Sequence, residues 1–335
     1  MARIGDTVAT LGDVAKRLDK DGKIDKIVEM MTETNEVLDD MLFQEGNLPT
    51  GHRTTIRTGL PEVAWRLLNY GVPQSKSLTQ QITDTCGMLE AYAEVDKALA
   101  DLNNNTAAFR LSEDQAFLQA MNKAMAETLF YGDTGKTPER FLGLAPRFAT
   151  LDAAQAATAE NVIDAGGTGN ALTSIWLVAW GANTVFGIYP KGSKAGFQHN
   201  DLGEVTLQMS LPDGRTGQYQ GYRTHYKWDM GLVVRDWRYV VRIANINLAN
   251  ITDDKLIRCM IEASERLPDE KLGRPVWYMN RSTRTRLRLA KTNKNNVQLT
   301  PETVEGKKVL TFDGLAVKRS DGILTAESQV KGAAA

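Results

Sequence analysis

Arg281, Arg284, Arg288 and Lys291 recur at three- and four-residue spacing. On a helix that spacing lines up four cations along one face. Eight Lys or Arg residues and no acid lie between Lys271 and Pro301. Such a face can contact phosphate, dock an acidic segment of another protein, or simply be solvated, and the spacing leaves all three readings open. No aromatic residue is interleaved with the face, so stacking on single-stranded nucleic acid is not expected. The opposite charge is concentrated elsewhere. From Ile27 to Gly51 there are six acids (Glu29, Glu33, Glu36, Asp39, Asp40 and Glu45) and no Lys or Arg. An acid-only stretch near one end and a base-only stretch near the other suit a molecule that pairs with copies of itself.

Catalytic patterns are scarce. The three histidines, His52, His199 and His225, fall in no metal-ligand spacing. Cys86 and Cys259 have no CxxC partner, so neither a zinc site nor a disulfide framework is expected. Asp164 to Gly169 is Gly-rich but lacks the Gly-Lys-Ser/Thr ending of a phosphate loop, and reads as a flexible connection. The adjacent Arg235 and Asp236 could form a catalytic couple, but such a pair is more often an ion bridge at a subunit or sheet edge. No enzyme activity, catalytic residue, metal site or cofactor is expected. The net charge of −1 creates no global field toward nucleic acid. No apolar stretch is long enough to span a bilayer, and no signal segment follows Met1. A reducing cytosol suits the two cysteines.

The elements that must position these residues read as a mixed α+β chain. The first 45 residues are charged and helical in pattern, with Ile24, Ile27, Val28 and Met31 at helix spacing. Residues 46–85 form a polar ribbon cut by Gly and Pro. Its segment 52–58 has strand propensity but little to bury, so it is expected to project and to rest on a neighbour. Met88, Leu89, Tyr92 and Val95 begin a helical run ending near Leu102. Ser112 and Gln115 form a capping-box pattern that opens a long helix over 112–131. A dense aromatic and β-branched block, 173–248, is strand-and-turn sequence. Val205 to Leu211 and Thr216 to Tyr222 flank a turn at Asp213-Gly214. Thr252 caps a helix, 275–279 is a short buried strand, Asn280 caps a second helix, and Asp313-Gly314 turns a tight hairpin.

Three phrases carry a likeness: Pro61-Glu62-Val63-Ala64-Trp65-Arg66-Leu67-Leu68-Asn69-Tyr70-Gly71-Val72-Pro73, Phe130-Tyr131-Gly132-Asp133, and Phe141-Leu142-Gly143-Leu144-Ala145-Pro146-Arg147. With the 173–248 block they resemble the major capsid (head) proteins of tailed bacteriophages, nearest to those of short-tailed phages of enteric bacteria. That resemblance implies the Johnson fold. It would have an N-terminal arm at 1–45, an extended loop at 46–85, and a peripheral domain at 86–169 with a spine helix at 112–131. An axial domain would take 170–224 and 250–309, with 225–249 and 310–335 returning to the peripheral domain as strands.

The resemblance further implies a shell of homo-hexamers and homo-pentamers around packaged double-stranded DNA, bound non-specifically. It implies a portal, a scaffolding protein and a decoration protein as partners, no membrane, and assembly of the virion in the host cytoplasm. Candidate inter-subunit contacts are then Glu33, Glu36, Asp39 and Asp40 in the arm, Arg53, Arg57, Glu62 and Arg66 in the loop, and Arg235 and Asp236. No crosslinking Lys, Asn and Glu set can be matched, so no covalent chemistry is expected. The alternative is a nucleic-acid-binding protein using the basic helix at 281–294.

Overall fold

The computed structural model describes residues 35–101, 106–210, 215–269, 271–293, 299–304 and 307–332. In chain order the elements are α1 (Val37–Asp40), β1 (Phe43–Glu45), β2 (Gly51–Gly59), β3 (Leu78–Asp96), α2 (Lys97–Ala100), α3 (Thr106–Tyr131), α4 (Leu144–Arg147), a 3-10 turn (Ala157–Asn161), β4 (Val162–Asp164), β5 (Thr173–Trp180), β6 (Val185–Tyr189), β7 (Phe197–Ser210) and β8 (Thr216–Val234). A second 3-10 turn (Trp237–Tyr239), β9 (Val240–Ile246), α5 (Asp253–Glu265), β10 (Arg274–Met279), α6 (Arg281–Asn293), β11 (Leu299–Val304), β12 (Lys307–Phe312) and β13 (Leu315–Arg319) follow. Among the described residues no helix is long and apolar enough to cross a membrane.

The described residues divide into two compact units, 88–125 with 196–229, and 35–87, 126–195 and 230–332. The larger is built around β5. All eight residues of β5 are buried, as are all seven of β9. β9 and β10 both pair with β5 antiparallel, and β13 lies parallel to β10. Strands covered on both faces need continuous apolar runs, which the block supplies. Alternation then sorts the side chains. Ile175, Leu177, Ile243, Trp277 and Met279 pack with Leu256, Met260 and Ala263 of α5 and Leu287 of α6. Trp176 packs instead against Phe130 and Phe148.

Next to Trp176 sits a buried polar network. Arg242 lies over the indole and pairs with Glu327 at 2.7 Å, both nearly inaccessible. Arg242 also donates to the Phe148 carbonyl at 2.9 Å and to Ser174 Oγ at 3.1 Å. Ser174 Oγ and the Tyr131 hydroxyl donate to Glu327. Burial and the Glu327 charge push the Tyr131 hydroxyl well above the ordinary tyrosine range, so it stays a donor. A buried charge pair is tolerated when its remaining lone pairs and protons are satisfied, and here three groups do that through four hydrogen bonds. The network fastens the C-terminal strap to the sheet. Asn245 adds two bonds to Val330, and Leu151 N–H donates to the Lys331 carbonyl.

The smaller unit holds the antiparallel β7–β8 pair, the second half of β3, α2 and most of α3. Phe109 packs with Val95 and Ala100, and Met121 with Ala93 and Tyr226. Its exposed side is laced with ion pairs: Glu94 to Arg223 at 2.5 Å, Lys97 to Glu204 at 2.6 Å, and Arg110 to Asp201 at 2.6 Å.

Several expectations are corrected. Residues 86–96 are strand, not helix. Met88, Glu90 and Tyr92 face out while Ala93 and Val95 are buried, a period of two that the apolar residues at 88, 89, 92 and 95 masked. The long helix starts six residues before Ser112. Ser112 is interior to it, with Oγ bonded back to the Phe109 carbonyl, so the capping-box pattern is not a start. Within 225–249 a 3-10 turn separates β8 from β9. The described residues of 196–229 group with 88–125, and those of 230–332 with 126–195. The cap at Thr252 accepts from Lys255 N–H, and the cap at Asn280 from Ser282 N–H. Asp313 and Gly314 take φ of 53° and 73°, the paired positive values of a two-residue hairpin turn.

Candidate subunit interface

The projecting ribbon has a rigid root and an open tip. At the root, β2 and β3 pair from Gly51 opposite Thr85 to Gly59 opposite Leu78. Gly51 is required by close approach, since a Cβ there would lie 2.0 Å from the Asp84 carbonyl oxygen. Arg147 of α4 pairs with the buried Asp84 at 2.7 Å and donates to the Leu142, Gly143 and Leu232 carbonyls. Asn47 exchanges two bonds with the Arg53 backbone, at 2.7 and 2.8 Å. His52 stands edge-on to Phe186 with its ring centre 5.7 Å away. Burial holds the His52 imidazole below its ordinary value, with Asp84 opposing and Arg235 reinforcing the shift.

Beyond the paired strands the tip turns apolar. Leu60 is 80% exposed, Val63 92%, Trp65 104%, Leu68 88% and Tyr70 71%. The tip has some order of its own, because Glu62 N–H donates to Ser75 Oγ at 2.7 Å and Tyr70 N–H to the Leu67 carbonyl at 3.2 Å. Large apolar side chains clustered in water mark an interaction surface. Burying a Leu- or Val-sized side chain gains roughly 1.5–3 kcal/mol, and aromatic anchors dominate interface energies. Around this cluster the side chains of Arg57, Glu62 and Arg66 are exposed, with no partner among the described residues. That is the make-up of a polar rim. Arg53 is different, since its Nε reaches Thr83 across the hairpin at 3.4 Å. The apolar tip was missed as a candidate surface, although six large apolar residues between Pro61 and Pro73 were its signal.

The arm residues divide. Glu33 lies outside the described residues. Asp39 is exposed and Glu36 half-buried. Asp40 is a correction. It is buried inside its own chain, accepts from Tyr278 at 2.7 Å and Lys318 at 2.6 Å, and lies 3.6 Å from Arg274. It anchors the base of the arm and is not available to a neighbour. Arg235 and Asp236 do not bridge one another. Arg235 donates to Asn183 and Asp236 pairs with Arg238 at 2.7 Å, because the 3-10 turn carries Arg238 back over its capping aspartate.

The basic face forms in part. Arg281 is paired with Asp321 at 3.1 Å and Arg286 with Asp253 at 2.9 Å. Arg288 is exposed and Arg284 half-buried. Lys291 lies within α6, and its side chain is outside the described residues. Among the described residues no three His, Cys, Asp or Glu side chains could hold a metal. Burial pushes the Cys259 thiol up, away from reactivity. The Gly-rich segment is a turn: Asp164 accepts from Gly166 N–H and from the Asn245 side chain.

Comparison with known proteins gives this surface its setting. A family model described as major capsid protein GP7 matches residues 19–331. No curated protein matches the chain. A chain from the cryo-EM structure of bacteriophage Epsilon15 is 36% identical, with a TM-score of 0.78 over 98% of this chain and 99% of that one. The bacteriophage JBD30 capsid aligns at 10% identity and a TM-score of 0.44, over 87% of this chain and 91% of that one. The capsid of an empty GTA particle aligns at the same identity and score, over 71% and 99%. The fold is therefore the α+β Johnson fold, and the chain belongs to the GP7 family of major capsid proteins, structural subunits of the virion shell.

Proposed function

We propose that the chain assembles as homo-hexamers and homo-pentamers of an icosahedral shell enclosing double-stranded DNA. Each copy lays the tip at 60–77 across an adjacent one. The observation that carries this reading is the cluster of Trp65, Leu68, Val63 and Tyr70, apolar and solvated on a root that is itself firmly fixed. A surface of that kind is stable in an assembly and a liability outside one. Many such contacts per particle sum to a stable shell without covalent crosslinks. Packaged duplex is held by weak, sequence-independent contacts. A portal, a scaffolding protein and a decoration protein complete the particle, and assembly takes place in the host cytoplasm. The subunit performs no catalysis.

The test is electron microscopy and sedimentation of the full chain beside a Trp65→Ala/Leu68→Ala variant. Capsomers or shells are expected from the parent, and dispersed, folded subunits from the variant. A variant that assembles as readily as its parent would remove the tip from the interface.

A further inference from the structure

Arg284 and Arg288 stand one helical turn apart on α6. Arg284 is half-buried, and its Nε is shut off from solvent with no hydrogen-bond partner. Among the described residues neither guanidinium has an ion pair or hydrogen bond. Their neighbours differ, since Arg281 and Arg319 share Asp321 and Arg286 holds Asp253. Burial pushes Arg284 below the ordinary arginine value, Glu36 partly offsets this, and Arg288 and Arg319 add to it. A lysine so placed could shed its proton, but a guanidinium cannot. The charge therefore persists, half out of water and next to like charge, which is costly until an anion arrives. Two forked guanidiniums an α-helical turn apart are suited to oxygen anions.

We infer that Arg284 and Arg288 form a carboxylate-binding site for a second copy of this chain, filled by its acidic stretch with Asp39 as the anchoring group. This rests on the shell reading. Asp39 is exposed and has no partner among the described residues. It belongs to a run of six acids from Ile27 to Gly51 with no Lys or Arg to compete. The larger unit thus carries both an unsatisfied acid and two unsatisfied bases, which a surface contacting its own copy requires. Duplex phosphate fits less well. Arg284 is half-buried, so a single projecting carboxylate reaches it more readily than the backbone of a rigid duplex.

The experiment compares the full chain with Arg284→Gln/Arg288→Gln and with Asp39→Asn, reading shell yield, encapsidated DNA and the melting of the free subunit. Each variant is expected to lower shell yield about tenfold or more, the scale of one lost charged contact, with melting unchanged. Shells at parental yield from the double variant would overturn the inference. Normal shells that retain less DNA would also overturn it, since they would assign the site to phosphate. Should the double variant misfold, the exposed Asp39→Asn decides: a tenfold loss supports the site and parental yield removes it. A parent chain that makes no shell would instead remove the reading beneath it.

Discussion

Trp176 and Trp65 belong to the same chain and meet opposite fates. Trp176 is wholly buried under Phe130, Phe148 and the Arg242 guanidinium, while Trp65 is fully exposed at the ribbon tip. Both lie in apolar stretches of sequence, so residue type does not separate them. Strand pairing does. β5 has a partner on each edge and covers on each face, whereas 60–77 has the sparse internal bonding of a loop and nothing above it. The first region completes its burial within one subunit. The second, on the proposed reading, leaves its burial to another molecule.

The comparison predicts effects that should fall in order. Glu327→Ala strands Arg242 in the buried network and should cost about 3–5 kcal/mol, read by chemical denaturation of the free subunit. A loss under 1 kcal/mol would mean that the strap does not complete the core. Gly51→Ala drives a Cβ into the Asp84 carbonyl and should cost roughly 1–3 kcal/mol, with the root of the ribbon loosening first in hydrogen exchange. Uniform exchange along β2 and the sheet would break the distinction between them.

His52 supplies a pH test. Its folded value lies below the ordinary 6.5, so the unfolded chain binds more protons there. Stability of the root is therefore level above about pH 6.5 and falls as pH drops from there toward the folded value. Replacing His52 with Gln should flatten that slope, and an unchanged slope would assign it to other groups. Smallest of all, Trp65→Ala should move subunit stability by no more than about 0.5 kcal/mol while lowering assembly. A large loss of subunit stability would show the tip packed on its own chain.

Much of the fold was written locally. Thr252 and Asn280 cap helices because their side chains reach the free N–H groups of the first turn, and such signals need no distant partner. The aromatic and β-branched runs of β5 and β9 read as strands, and the structure buries both faces of each. Ser112 misled because a capping pattern is equally permitted inside a helix, where the hydroxyl turns back to a carbonyl. Residues 86–96 misled because the side chains at 88, 89, 92 and 95 fit a helical period, although in the strand they divide between its two faces. Only the partners on either side chose the strand.

By itself, then, the sequence determined the mixed α+β class, the major capsid likeness, the poverty of catalytic groups and the separation of acid from base along the chain. The likeness follows from the phrases that carry it, and the rest from composition, spacing and short-range hydrogen bonding. Tertiary structure alone decided that Asp40 is an anchor and Asp39 is not, that Arg281 is paired and Arg284 is not, and that Trp65 is left in water. Whether a charge is satisfied or an apolar ring is covered depends on residues hundreds of positions away, and no local pattern records which of them arrive.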